Sequence, residues 1–277
     1  MNKNLFEKKV YAGTIQAVVL DWAGTIVDYG CMGPAAVFLE VYNKYDIQVS
    51  QTEARQFMGL AKKDHIRAMC KLDSIARQWQ NVYQKFPTED DIEMLYKKTV
   101  SMMVETIASH SEPIPGALET IQKMKSMNIK IGSCTGYVKE IMDVLVPLAS
   151  QKGFHPDSIV CSSDVPQGRP FPWMCLQNAI LLETYPMEAM VKIGDTVADI
   201  EEGLSAGMWT IGITKTGNEL GMTQKEIEGL ALEDLQVRLK RIESKFKEAG
   251  AHFVVETISD CLPVIDTINQ KLANPEP

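Results

Sequence analysis

The sequence has no Cys-x-x-Cys pair: its six cysteines, Cys31, Cys70, Cys134, Cys161, Cys175 and Cys261, are widely scattered. With four equally dispersed histidines, this argues against a zinc site or a disulfide framework and for free thiols. Neither Gly-x-x-x-x-Gly-Lys-Ser/Thr nor Gly-x-Gly-x-x-Gly occurs, so a nucleotide-binding loop has no support. No apolar run approaches the roughly 20 residues that span a bilayer. The first residues lack the hydrophobic core of a signal peptide, so no membrane partner and a cytoplasmic location are expected. Positive charge is also in short supply: 28 Lys and Arg against 36 Asp and Glu give a net charge of -8. That counts against a nucleic-acid partner, but not against a small anion, which local basic residues would bind. At 277 residues and 45% apolar, the chain has room for one sizeable core and a smaller second module.

One stretch organises what is present. The run Ile15–Leu20 reads as a buried strand, stopped by Asp21 and a small-residue turn, Ala23-Gly24-Thr25. Open parallel sheets bind ligands at the carboxyl ends of strands, beside switch points in strand order. Asp21 therefore stands where chemistry is expected, the alternative being a solvated turn acid. Residues 1–14 read as a polar extension. Pro34 to Tyr45 has helical apolar spacing, and Ser50-x-x-Glu53 is a capping-box pattern. Further helices are expected over Asp64–Cys70, Ile75–Tyr83 and from Thr88 to about 107. From Pro113 the rhythm becomes strand and helix in alternation, with strands at Ile129–Cys134, Ser158–Ser162, Met190–Ile193, Trp209–Ile213 and His252–Val255. A single long charged helix is expected over Lys225–Ala249. The fold class is α/β: a doubly wound parallel-sheet, Rossmann-like core of residues 1–30 and 111–277, with an all-helical cap inserted at 31–110.

Four stations carry chemistry. Asp21 is the first, Ser133-Cys134-Thr135-Gly136 the second, Gln167-Gly168-Arg169-Pro170 the third. The fourth is Gly194-Asp195-Thr196-Val197-Ala198-Asp199. Asp195 and Asp199, four residues apart at a strand-to-helix turn, can face one crevice, and Asp195 can share a hard cation with Asp21. Mg²⁺ suits such a site, because it takes oxygen ligands and commonly pairs one or two carboxylates with phosphate oxygens. Asp199 reads either as an acid fixing the site from behind or as a helix N-terminal acid set against the macrodipole. Arg169 offers a charge-assisted fork to a phosphoryl group and Thr135 a hydroxyl.

The order of these stations resembles the haloacid dehalogenase-like superfamily of phosphoryl-transfer enzymes. In that superfamily the first motif is usually Asp-x-Asp, the second acid protonating the leaving oxygen; here Ala23 takes its place. An ester needs that proton donor. A carbon–phosphorus bond leaves as a carbanion and needs an electron sink instead, such as a protonated imine. The cap segment Met58-Gly59-Leu60-Ala61-Lys62-Lys63-Asp64-His65-Ile66-Arg67 supplies amines, and resembles the cap motif of the phosphonatase family. So do Asp21-Trp22-Ala23-Gly24-Thr25, Ser133-x-Thr135-Gly136-Tyr137, Gly168-Arg169-Pro170-x-Pro172-Trp173-Met174 and Gly194-Asp195-Thr196.

The residues alone do not choose between Lys62 and Lys63. The resemblance implies that Lys62 forms the Schiff base, Asp21 is the nucleophile, and Asp21, Asp195 and the Ala23 carbonyl hold Mg²⁺. It implies hydrolysis of phosphonoacetaldehyde, within phosphonate catabolism, by a homodimer. Lysine, whose side chain ordinarily titrates at about 10.4, must be neutral to attack an aldehyde; burial or the cations Lys63, Arg67 and Arg169 would favour that form. His65, three residues after Lys62, reads as a proton shuttle or as an ordinary hydrogen-bonded cap residue. Cys31, Met58, Gly136 and Tyr137 read as lining the aldehyde pocket, with core packing an equal account of Cys31 and Met58. Gly59 is a hinge or close-approach point, and Thr196 supports the Asp195 turn. The competing expectations are a Mg²⁺-dependent phosphate-ester phosphatase or mutase, against which Ala23 counts, and a non-catalytic phospho-ligand scaffold.

Overall fold

The computed structural model describes residues 11–274; most of the polar extension, including the segment scanned for a signal peptide, lies outside them. The sheet is built from β1 (Ala17–Leu20), β2 (Lys130–Thr135), β3 (Ser158–Cys161), β4 (Met190–Gly194), β5 (Trp209–Ile213) and β6 (Phe253–Val255). Its order is β3-β2-β1-β4-β5-β6, with every pair parallel. All four residues of β1 are buried, as expected of a central strand covered on both faces. The strand starts later than its apolar run, because the Ile15 amide donates to the Asn269 side chain at 2.7 Å rather than to a neighbouring strand. Strand order reverses between β1 and β4, so the carboxyl ends of these two strands open a switch-point crevice.

Between β1 and β2 the described chain is helical: α1 (Met32–Asn43), α2 (Gln51–Arg55), α3 (Lys62–Cys70), α4 (Asp73–Tyr83) and α5 (Glu89–Thr106). Capping boxes start two of them, Ser50 with Glu53 and Thr88 with Asp91. Phe38, Tyr42, Ile66, Met69, Trp79 and Leu95 fill the space between these helices. The chain enters and leaves the block through one knot of contacts. The Asp28 carboxylate accepts the first helical amides of α1, from Met32 at 3.1 Å and Gly33 at 3.0 Å, and pairs with His110 at 3.0 Å.

The other helices are α6 (Ala117–Ser126), α7 (Lys139–Gln151), α8 (Trp173–Leu181), α9 (Val197–Ser205), α10 (Gln224–Glu228), α11 (Leu232–Glu248) and α12 (Cys261–Ala273). The expected single helix over 225–249 is thus two. Thr223 and Glu226 form a capping box for α10, Gly229 follows its end, and Ala231 turns extended at φ −62° and ψ 139° before α11 begins. The break lets Ile227 of the first piece and Leu235 and Leu239 of the second share one apolar cluster beside Tyr29. Among the described residues no helix is long and apolar enough to cross a membrane.

Candidate active site

The crevice at the ends of β1 and β4 is roofed by the start of α3. Asp21, Ala23, Cys31, Pro34, Met58, Gly59, Lys62, Thr135, Gly136, Tyr137, Arg169, Asp195 and Thr196 line one cavity. Every expected pocket and metal residue is in this set; Pro34, read only as a helix-starting residue, joins it. His65 and Asp199 stand behind the walls. Close approach explains the glycines. Gly59 has φ +93° and a Cβ there would strike the Thr196 hydroxyl, while one on Gly136 would lie 2.6 Å from the Leu60 carbonyl oxygen.

Lys62 is the first residue of α3, two residues earlier than the expected helix start, and is 3% exposed. Its Nζ lies 4.7 Å from the Tyr137 ring centroid and 5.8 Å from that of Phe38. Among the described residues it has no carboxylate within ion-pair distance. Burial pulls its pKa down to about 8, Arg169 adding to the fall and Cys31 and Asp21 opposing it. The geometry thus separates the two lysines. Lys63 faces outward to Glu93 at 2.6 Å, and Arg67 pairs with Asp64 and Glu89 on the surface. Neither is among the groups acting on Lys62, which corrects the expectation that they help keep it neutral; desolvation does so, aided by Arg169.

His65 is fully buried. Its Nε2 donates to the Ala54 carbonyl at 3.0 Å, its ring stacks 4.0 Å from Phe38, and its Nδ1 has no partner. Burial, then the nearby Lys62 charge, holds its pKa well below the usual histidine value.

Asp21, Asp195 and Asp199 bring one carboxylate oxygen each within 4.8 Å of one another. Burial and Asp199 push Asp21 up to about 6, against the pull of Arg169 and Lys192. Burial, then Asp21 and Asp199, push Asp195 well above the usual carboxylate range. Crowded, desolvated carboxylates of this kind fit a hard cation that would relieve their repulsion. Asp195 is aimed by the Asn218 amide, which donates to Oδ2 at 2.7 Å. Asp199 differs. Thr196 Oγ1 donates to one of its oxygens at 2.6 Å and Lys192 Nζ to the other at 2.6 Å. Burial alone would raise it, but Arg169, Lys192 and Thr196 hold it below its ordinary value. Both of its oxygens are engaged, and with Thr196 it forms the capping box of α9.

The sequence leads Arg169 to be expected facing a phosphoryl group. Here its Nη2 donates to Asp21 Oδ1 at 2.7 Å and its Nε to Glu202 at 2.8 Å. Lys192 and Glu202 escape the motif reading. Lys192 sits fully buried inside an apolar strand, a signal that the sequence did carry. Glu202 lies three residues after Asp199 and shares its helix face.

A doubly wound sheet with acids after its first and fourth strands, a threonine ending its second and an arginine reaching in from beyond its third marks a class of hydrolase. A family model described as haloacid dehalogenase-like hydrolase matches residues 15–207. A phosphonoacetaldehyde hydrolase of Syntrophobacter fumaroxidans is 52% identical over 268 residues, 97% of each chain. One of Nitratidesulfovibrio vulgaris is 45% identical over 271 residues, 98% of this chain and 97% of the other. The crystal structure of a phosphonoacetaldehyde hydrolase-like protein from Oleispira antarctica superposes with TM-score 0.95 at 36% identity, covering 100% of this chain and 99% of that one. The chain belongs to the phosphonoacetaldehyde hydrolase family within the haloacid dehalogenase-like hydrolases.

Proposed function

We propose that this protein hydrolyses phosphonoacetaldehyde to acetaldehyde and phosphate. One observation carries the reading: Lys62, a buried amine with lowered basicity, and Asp21 line the same cavity, while Ala23 occupies the place of a proton-donating acid. Lys62 Nζ attacks the aldehyde carbon and, with loss of water, forms a protonated imine. Asp21 attacks phosphorus; the carbon–phosphorus bond breaks, and its electron pair passes into the imine to give an enamine. Protonation at carbon and hydrolysis of the imine return acetaldehyde and free Lys62. Water cleaves the aspartyl phosphate. His65, with an unpartnered Nδ1 and a pKa lowered by burial and then by the Lys62 charge, is the residue suited to move protons during imine formation. Arg169 and Thr135 bind the phosphonate oxygens. Mg²⁺ held by Asp21, Asp195 and the Ala23 carbonyl would offset the charge between nucleophile and phosphonate.

The same reading treats residues 31–110 as a cap over a core of 1–30 and 111–277, and the active form as a cytoplasmic homodimer, which light scattering of the purified protein checks. Phosphate release from phosphonoacetaldehyde, with and without EDTA, tests the function. Borohydride added during turnover should fix a two-carbon adduct on Lys62. Turnover of p-nitrophenyl phosphate indifferent to Lys62→Arg, with no adduct, would replace this reading by that of an ester phosphatase.

A further inference from the structure

Beneath the cavity floor lies a second tier of charge that the proposed reaction does not use. Glu202 and Lys192 are both fully buried and outside the cavity lining. Glu202 Oε2 accepts from Arg169 Nε at 2.8 Å and from the Cys134 thiol at 3.4 Å, with Lys192 Nζ 3.8 Å away. Glu202 Oε1 has no partner. A buried carboxyl group with one orphan oxygen is costly to keep charged: burial and then Cys134 push Glu202 up to about 8, against the pull of Arg169 and Lys192. Its one strong contact is with the stem side of the Arg169 guanidinium. The far end of that group is held otherwise: Nη2 by Asp21 at 2.7 Å and Asp199 at 3.0 Å, Nη1 by the Gly59 carbonyl at 3.3 Å.

Resting on the function proposed above, the geometry points to Glu202 as a positioning residue that anchors Arg169 by Nε while its outer nitrogens pass from Asp21 to the phosphonate. The need follows from the chemistry. As Asp21 attacks phosphorus it becomes an acyl phosphate and loses the charge that pairs with Arg169. A guanidinium held only by Asp21 and Asp199 would have to leave its best partner to bind substrate, and would lose that partner during turnover. Asp199 and Glu202 both lie outside the cavity lining and stay unchanged throughout, but only Glu202 holds the guanidinium by Nε and leaves its outer nitrogens free to turn. Lys192, 2.6 Å from Asp199 and 3.8 Å from Glu202, ties the two acids together.

The test uses the full chain with Mg²⁺. At pH 9, above the value of about 8 for Glu202, Glu202→Gln keeps the shape and an acceptor but removes the charge. The Kd for inorganic phosphate, read by calorimetry, and the KM for phosphonoacetaldehyde should each rise about tenfold, the scale of one lost charge-assisted hydrogen bond. Borohydride trapping of acetaldehyde on Lys62, which needs an intact pocket but no phosphorus, should match wild type. Glu202→Asp, which keeps the charge but withdraws the oxygen, should give a smaller rise of about threefold. Wild-type phosphate affinity in both variants would overturn the inference. So would loss of acetaldehyde trapping in step with phosphate binding, or failure of both variants to fold, since Glu202 would then merely hold the core together. A wild-type protein that binds phosphate but releases none from phosphonoacetaldehyde would defeat the proposed function instead, and the calorimetric comparison would still judge Glu202.

Discussion

A lysine whose charged form burial disfavours weakens the fold that buries it. Lys62 falls from an ordinary value of 10.5 to about 8, which corresponds to about 3 kcal/mol of disfavoured charge. Its folded-state pKa is lowered, so the folded protein carries the full penalty below pH 8, where the amine is charged in both states. The penalty is relieved as pH rises from about 8 toward 10.5. Lys62→Met should therefore abolish phosphate release yet raise unfolding free energy in urea at pH 7, by roughly 1–3 kcal/mol. The gap from wild type should narrow at pH 9.5; a variant less stable than wild type at pH 7 would contradict the argument. Chemistry gives the same pH from the other side. Borohydride trapping of acetaldehyde at Lys62 should rise with a midpoint near pH 8, rather than at the roughly 10.4 of a free lysine.

Between elements, one polar contact of the helical block reaches the acidic cluster of the crevice. Arg55, the last residue of α2, donates from Nη1 to Asn218 Oδ1 at 3.2 Å and to the Gly30 carbonyl at 2.9 Å, and its own carbonyl accepts from Asn218 Nδ2 at 3.2 Å. The Asn218 amide aims Asp195. Arg55→Ala should free α2 and the 214–221 loop together, seen as faster amide exchange in both segments, and raise KM by about fivefold, the loss of a partly buried charged hydrogen bond. Unchanged exchange in the loop would separate the two. Elements whose signals are local were legible in the sequence: the β1 run ending at Asp21, the capping box at Ser50 and the helix start at Thr88. The start of α3 at Lys62 and the break at 229–231 were not, because they are fixed by tertiary neighbours, the Thr196 wall behind Gly59 and the apolar cluster under Tyr29. The site residues on strand ends could be read from order and spacing. Arg169's resting place on Asp21 could not, since no local rule joins positions 148 apart.

At the scale of the whole molecule, the crevice joins two carboxylates that repel one another to a fold that must hold them there. Asp21 and Asp195 have raised pKa values in the folded state. Their contribution is therefore most favourable at acid pH, below the ordinary carboxylate value of 3.8, and is lost as pH rises, for Asp21 through about 6. At neutral pH, above the value of about 6 for Asp21, the metal-free protein has lost that part of its stability. A divalent cation that binds the folded state alone stabilises it by about 2.7 kcal/mol at a hundred times its Kd, which for a chain of this length raises Tm by roughly 5 °C. Asp195→Asn removes one of the opposed charges while leaving an oxygen to accept from Asn218. The variant should therefore melt higher than wild type in EDTA, yet gain nothing from Mg²⁺, and release no phosphate. Scanning calorimetry at pH 7 with EDTA or with saturating Mg²⁺ distinguishes the cases. If the EDTA melting points coincide, the carboxylates do not strain the fold; if Mg²⁺ raises the variant as much as wild type, the ion is held elsewhere.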